Sequence, residues 1–273
     1  NYLESIFEIK DIFRCLSTGE KINSQTISNL SERIYNGTKL SSGLIHCIHQ
    51  LRNVDEYTYT HSINTAFYSM LIAKWLELNE GEINKVIQCG LLHDVGKIKV
   101  PVEILNKPGA LTKDDFEVIK KHTIMGFCIL DKVSHVDKEV KQTALLHHER
   151  IDGSGYPFNT RSNYIGLYPR IVAVADVFDA MTSDRVYKKR VSPFTAFEMF
   201  KTVGITMFDL KIVNIFIKNI SSLYIGMNIL LNNGTIGEIA YVPPHDVLNP
   251  IINVNNRYID LSLETGIKIV NLL

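Results

Sequence analysis

Apolar residues recur at spacings of three and four along most of this chain, which predicts one helix after another. Ile6, Ile9, Phe13 and Leu16 form one face, and a polar break follows at Ser17-Thr18-Gly19-Glu20. Ile27, Leu30 and Ile34 form a second face that ends near Asn36-Gly37. From Asp55-Glu56 the pattern becomes more regular. One helix carries His61, Ile63, Phe67, Met70, Leu71 and Trp75, and the next runs from Glu82 to His93 with Val86, Ile87, Leu91 and Leu92. A loop holds Pro101, Pro108 and Gly109. Thr112-Lys113-Asp114-Asp115 then reads as a capping box with Asp as the acid, leading into Phe116, Ile119, His122 and Gly126. Val136, Val140 and Ala144 lead to His147-His148. A glycine-rich stretch from Asp152 to Pro157 interrupts the helices. Three more follow: one with Pro169 in its first turn, one from Ser192-Pro193, and one capped by Asp209.

At Gly226 the period changes to two. Met227–Leu231, the turn Asn232-Asn233-Gly234 and Ile236–Val242 predict a β-hairpin. Ile251–Val254, Tyr258–Leu261 and Ile267–Val270 predict further short strands. The fold class expected is mainly all-α, a helical bundle with a small C-terminal β appendage. Residues 1–50 form a helical extension, 51–221 the main domain and 222–273 the appendage.

Composition narrows the function classes. The 273 residues carry 29 basic and 29 acidic side chains, so no global field draws a nucleic-acid polymer or an anionic membrane. Cys15, Cys47, Cys89 and Cys128 lie far apart among apolar residues, as expected of buried free thiols in a reducing cytoplasm. No apolar run approaches the ~20 residues of a membrane span, and no signal-peptide pattern opens the chain. The first residue is Asn1 rather than Met, which fits a piece of a longer protein or a processed chain.

The candidate chemistry centres on His93-Asp94, where a neutral nitrogen donor and a carboxylate stand side by side. Matching donors recur at His61, His122, His147, His148 and Asp176. Taken singly, each histidine reads as a hydrogen-bonded core residue; His46 and His49, without carboxylate neighbours, are read that way. Burying several together leaves nitrogens in need of partners, which favours a metal. Imidazole and carboxylate without thiolate suits Fe, Mn, Co, Ni or Zn rather than a structural thiolate zinc site. Two ions sharing Asp94 can divide the donors, one taking His61, His93 and Asp176, the other His122, His147 and His148. Lys97 is spaced to present a cation to an oxyanion. Arg185 and Lys188, in a basic run with Lys189 and Arg190, can grip phosphate or can form a solvated face. Tyr156 can stack on a base, donate its hydroxyl or simply pack in a turn. Asp179 can orient a ligand histidine or accept from a lysine.

His93-Asp94 with Lys97, the string from His147-His148-Glu149 through Asp152-Gly153-Ser154-Gly155-Tyr156-Pro157, and the run from Ala175-Asp176 to Arg185 together resemble the HD-GYP branch of the HD phosphohydrolases. The likeness covers about residues 50–221. It implies an HD-type bundle and a cyclic di-GMP phosphodiesterase of bacterial signalling, cytoplasmic, with two divalent ions, iron or manganese. It implies metal-ligand roles for His61, His93, Asp94, His122, His147, His148 and Asp176, and substrate contacts for Lys97, Tyr156, Arg185 and Lys188. The expected reaction is attack of a metal-bridging hydroxide on a 3′–5′ phosphodiester, with Lys97 offsetting charge, to give linear pGpG and potentially GMP. Some members hold a third ion with a Glu one turn before the first His. Tyr57 stands there in this chain and Glu56 is a residue further off, which leads to the expectation of two ions. Beyond the cyclic dinucleotide, the expected partners are a second copy or a regulatory protein, bound through the N-terminal helices or the β appendage. Other readings are a diiron oxygenase on the same scaffold, a non-catalytic cyclic-dinucleotide sensor, and a hydrolase of a related cyclic dinucleotide or mononucleotide.

Overall fold

The computed structural model describes residues 2–20, 23–37, 57–184 and 189–273, with Tyr57 described by its backbone alone. Eleven α-helices and five strands lie within these residues. The helices are α1 (Tyr2–Thr18), α2 (Ser24–Gly37), α3 (Tyr57–Trp75), α4 (Glu80–Leu92), α5 (Val102–Leu105), α6 (Lys113–Lys120), α7 (His122–Asp131), α8 (Lys138–Leu146), α9 (Leu167–Thr182), α10 (Pro193–Lys201) and α11 (Leu210–Ser222). A 3-10 turn, Val95–Lys99, joins α4 to the rest of the chain.

The centre of the bundle is α3, which is buried on every side from Thr60 to Ala73. A helix enclosed all round has no solvated face for polar residues, yet α3 encloses His61, Ser62, Asn64, Thr65 and Ser69. Helices α1, α4, α9 and α11 pack around it. Ile6, Ile9, Ile12, Phe13 and Leu16 of α1 and Ile27 and Leu30 of α2 belong to the same apolar core as the later helices. The crossing of α3 and α4 depends on Gly90, where an added Cβ would lie 2.4 Å from the Ala66 Cα.

Local signals explain where the helices begin. Asn79 accepts from the Glu82 amide and the Glu82 carboxylate accepts from the Asn79 amide, so α4 starts at Glu80, two residues before the expected start. Thr112 and Asp115 make the expected capping box. Ser192 caps α10 with Pro193 in its first turn, and Asp209 caps α11. The stretch from Thr112 through Gly126, expected as one helix, breaks at Lys121, whose amide turns back to the Val118 carbonyl. The break makes His122 the first residue of a separate helix.

The strands β1 (Asn228–Leu231), β2 (Ile236–Tyr241), β3 (Ile251–Val254), β4 (Arg257–Asp260) and β5 (Ile269–Leu272) form an antiparallel sheet in the order β4-β3-β2-β1-β5. The predicted hairpin is β1–β2. The last strand lies two residues later than expected because the Asn232 side chain engages the Lys268 amide and the Gly266 carbonyl, so ladder pairing begins only at Ile269. Ser192 Oγ donates to the Ile269 carbonyl and ties the sheet to α10.

The thiol expectation needs correction. Cys89 is buried, but Cys15 is half-buried and Cys128 is exposed. On α7 the buried face is His122, Thr123, Gly126 and Leu130, and Cys128 falls on the opposite side. Cys47, His46 and His49 lie outside the described residues. Among the described residues no helix is long and apolar enough to cross a membrane.

Gly90→Ala forces backbone against backbone at the α3–α4 crossing. Its expected cost is about 1–3 kcal/mol, the range for overpacking a tight interior, read as a lower midpoint in urea unfolding. An unchanged midpoint would contradict the close approach.

Candidate metal centre

Five histidines and two aspartates converge in the bundle. His61 projects from the first turns of α3, and His93 is the residue after α4. Asp94 leads the 3-10 turn, His122 opens α7, His147 and His148 follow α8, and Asp176 lies within α9. Their donor atoms form two groups that share Asp94. His61, His93 and Asp94 offer atoms within 4.8 Å of one another, as do Asp94, His122, His147 and His148. Asp176 Oδ1 lies 3.0 Å from His61 Nε2 and 4.0 Å from His93 Nε2, and its Oδ2 lies 3.8 Å from His148 Nδ1. Thus Asp176 reaches both groups.

Main-chain anchors set the tautomers. His93 Nδ1 lies 2.8 Å from the Gly90 carbonyl and His122 Nδ1 2.7 Å from that of Ile119. His147 Nδ1 lies 3.1 Å from the carbonyls of both Thr143 and Ala144. A carbonyl oxygen can only accept, so each Nδ1 carries the proton and each neutral ring presents a bare Nε2. His61 is held the same way by a carboxylate, with Nδ1 2.7 Å from Asp179 Oδ2. The expectation that Asp179 orients a histidine is met here.

These anchors leave the cluster short of protons. His122 Nε2 and His147 Nε2 stand 3.4 Å apart. With both Nδ1 positions protonated, neither neutral ring has a proton to place between them. His93 Nε2 and Asp94 Oδ1 are buried without a hydrogen-bond partner, although Asp94 Oδ1 lies 3.2 Å from His122 Nε2. Such groups are costly to bury unless a cation joins them. The Lys97 ammonium already serves as one, donating to Asp94 Oδ2. Crowded lone pairs, an underused carboxylate and a local cation fit a divalent metal centre built from imidazole and carboxylate.

Electrostatics follow from burial. Asp94 is enclosed, which opposes its charge, but Lys97 and His93 outweigh that and hold it well below the usual carboxylate range. Asp176 is held low against the same burial chiefly by its hydrogen bond with His61. Burial keeps His147 and His148 neutral, with further opposition from neighbouring imidazoles. Burial also disfavours charge on His61, but Asp176 and Asp179 overcome it and push the ring up to about 9.

The cluster is not enclosed equally all round. His93, His122 and His147 are fully buried, whereas His148 retains 18% and Lys97 23% side-chain exposure. Tyr156 stacks on His148 with ring centroids 4.6 Å apart. Burial holds its hydroxyl protonated. The glycine-rich turn that carries Tyr156 folds tightly beneath His148. A Cβ at Gly155 would lie 2.4 Å from the His148 carbonyl and from Glu149 Cα.

Glu149 braces this turn, its carboxylate accepting from the amides of Phe158 at 2.6 Å and Thr160 at 3.0 Å. Sequence reasoning noted Glu149 only as a neighbour of the histidines. It missed Asn64, which donates to Asp179 Oδ1 at 2.9 Å; its position three residues after His61 on the same helix was the available signal. Arg185, Lys188 and Glu56 lie outside the described residues, as does the side chain of Tyr57.

The histidines give the metal-free chain opposing pH limbs. His61, raised above its unfolded value near 6.5, contributes stability that is complete below that value and is lost as pH rises through about 9. His147 and His148, depressed, contribute stability above 6.5 that is lost as pH falls. The expected urea midpoint of metal-free protein therefore peaks near neutrality and declines toward pH 9, a decline that His61→Asn reduces. An unchanged alkaline limb in that variant would refute the assignment.

Comparison with known proteins extends the picture. The family model described as "HD domain" matches residues 46–212. A cyclic di-GMP phosphodiesterase of Pseudomonas aeruginosa is 34% identical over 90% of this chain and 59% of its own length. A 3'3'-cGAMP-specific phosphodiesterase of Vibrio cholerae is 37% identical over 48% of this chain and 28% of its own. The chain thus spans little more than half the length of the first and about a quarter of the second. The structure of an HDG"Y"P protein from Bdellovibrio bacteriovorus shares the fold with TM-score 0.65 and 17% identity, over 78% of this chain and 68% of that one. The family match runs across more than half of the sequence and through every residue of the cluster, so the chain belongs to the HD domain family and is related to its HD-GYP cyclic di-GMP phosphodiesterases.

Proposed function

We propose that this chain is a metal-dependent phosphodiesterase that hydrolyses cyclic di-GMP to linear pGpG. The observation that carries this reading is the pair of donor groups sharing Asp94, with bare imidazole nitrogens facing one another across 3.4 Å. His61, His93, Asp94 and Asp176 would hold one ion; Asp94, His122, His147 and His148 would hold the other. With four protein donors each, iron or manganese ions held there would keep room for substrate beside them. A filled centre of this kind supplies Lewis acidity at a phosphoryl oxygen and a water acidified toward neutral pH.

The remaining work falls to the chain. Hydrolysis forms a bond from water oxygen to phosphorus and breaks the bond from phosphorus to the ribose oxygen, which leaves with a proton. Lys97, partly exposed and paired with Asp94, would meet charge growing on a non-bridging oxygen. Tyr156 offers a ring face and a protonated hydroxyl beside His148. Arg185 and Lys188 remain the proposed phosphate contacts. The reaction is assigned to residues 51–221, with 1–50 as a helical extension and 222–273 as an appendage, in a bacterial cytoplasm. The Vibrio cholerae relative supports a second substrate, 3'3'-cGAMP, on the same machinery.

The test supplies iron(II) or manganese(II) anaerobically, adds each cyclic dinucleotide separately and resolves the products. Asp94→Ala is expected to lose metal and turnover together. Lys97→Ala is expected to keep its metal while turnover falls about 10²-fold or more, as when one transition-state donor is removed. A fully active Asp94→Ala overturns the scheme. Binding of the nucleotide without products would mark a sensor, and oxygen consumption without phosphodiester cleavage an oxygenase.

A further inference from the structure

The hydrogen bonds around His61 continue past Asp179 to the first helix of the chain. Tyr2 of α1 donates its hydroxyl to Asn64 Oδ1 at 2.6 Å. Asn64 Nδ2 donates to Asp179 Oδ1 at 2.9 Å, and Asp179 Oδ2 accepts from His61 Nδ1 at 2.7 Å. Ser183 Oγ adds a third donor to Asp179, at 2.9 Å. Asn64, Asp179 and His61 are 3%, 0% and 1% exposed, so bulk water does not replace a lost link.

The direction of every link is determined. A carboxylate only accepts, so the Asn64 amide must turn its NH2 toward Asp179. Its carbonyl then faces Tyr2 and can only accept, so the Tyr2 hydroxyl donates. Asp179, held by Asn64 and Ser183, keeps the His61 proton on Nδ1 and leaves Nε2 facing Asp176 and Asp94 at 3.0 and 3.6 Å. Each bond in such a chain polarises the next.

The other donor group is anchored differently. His122 rests on a main-chain carbonyl of α6, the helix before its own, and His147 on carbonyls of α8, which move only if the helix moves. His61 rests on a succession of side chains that reaches α1. The same helix also touches the turn that carries Lys97, because Lys99 Nζ donates to the Ser17 carbonyl at 3.1 Å.

We propose that Tyr2 and Asn64 are positioning residues for the His61 half of the centre, which makes α1 a working part of that half. This rests on the reading of His61 as a metal ligand. A metal-ligating histidine depends on what its second nitrogen meets, and loss of that partner lowers metal affinity. Asn64→Asp has the same shape but sets an acceptor against Asp179, whereas Tyr2→Phe removes a single hydroxyl at the outer end.

The experiment titrates the metal-free 273-residue chain with cobalt(II), followed by visible absorption and calorimetry. Wild type is expected to fill in two steps, and His93→Ala identifies the step belonging to the His61 group. Asn64→Asp is expected to weaken that step about 10- to 100-fold, and Tyr2→Phe about 2- to 10-fold, as for one hydrogen bond. The other step is expected to stay unchanged in both. Equal weakening of both steps would mean general loosening of the bundle and would overturn the proposal. Two unaltered steps in both variants would overturn it while leaving the metal reading intact. A wild-type chain that takes up no cobalt would overturn the metal reading itself.

Discussion

Asp94 is a carboxylate almost wholly removed from water, with imidazole rings on either side and a lysine at its edge. A buried charge of this kind is tolerated only when it is paired and hydrogen-bonded. The surrounding structure is arranged to meet that demand. Two groups of donors take Asp94 in common, Asp176 stands across from it, and Lys97 supplies a positive charge from the same turn. The helices that bring these residues together are held by ordinary apolar packing, and the charge at their centre is what specifies how their ends must meet.

That packing has little tolerance. Helix α4 reaches α3 closely enough for His93 to stand beside His61 only because Gly90 has no side chain at the crossing. The turn after Asp94 settles against α7 at Gly96, where a Cβ would lie 1.9 Å from the His122 carbonyl. The glycine-rich turn folds beneath His148 at Gly155 for the same reason. Each is a place where backbone meets backbone next to a donor, so glycine serves here for close approach. The buried carboxylate of Glu149 then accepts the amides of Phe158 and Thr160 in the loop that follows Tyr156.

The centre is also asymmetric in how it is supported. His93, His122 and His147 take their tautomers from main-chain carbonyls three or four residues earlier in the chain, a support that comes with the local fold. His61 takes its tautomer from Asp179 on α9, and through Asn64 from Tyr2 on α1. The orientation of His61 therefore depends on tertiary contacts between three helices, α3, α9 and α1.

Much of this was legible in the chain. Periodicity located the helices, the change at Gly226 announced the sheet, and the Thr112, Ser192 and Asp209 caps stood where their spacing put them, because these signals act over a few residues. The residues that cluster at the centre were legible too, since adjacent histidines beside an acid and a His-Asp pair are unusual neighbours. The break at Lys121, the earlier start of α4 and the slipped last strand were not, because each depends on a hydrogen bond that competes with the regular pattern. Nor could the sequence show that Cys128 faces outward, or that Lys97 rests on Asp94. Which nitrogen each histidine presents, and what stands behind it, was settled only in three dimensions: a ring's proton goes to whichever acceptor the packed helices bring within reach, and for His61 that acceptor lies 118 residues away along the chain.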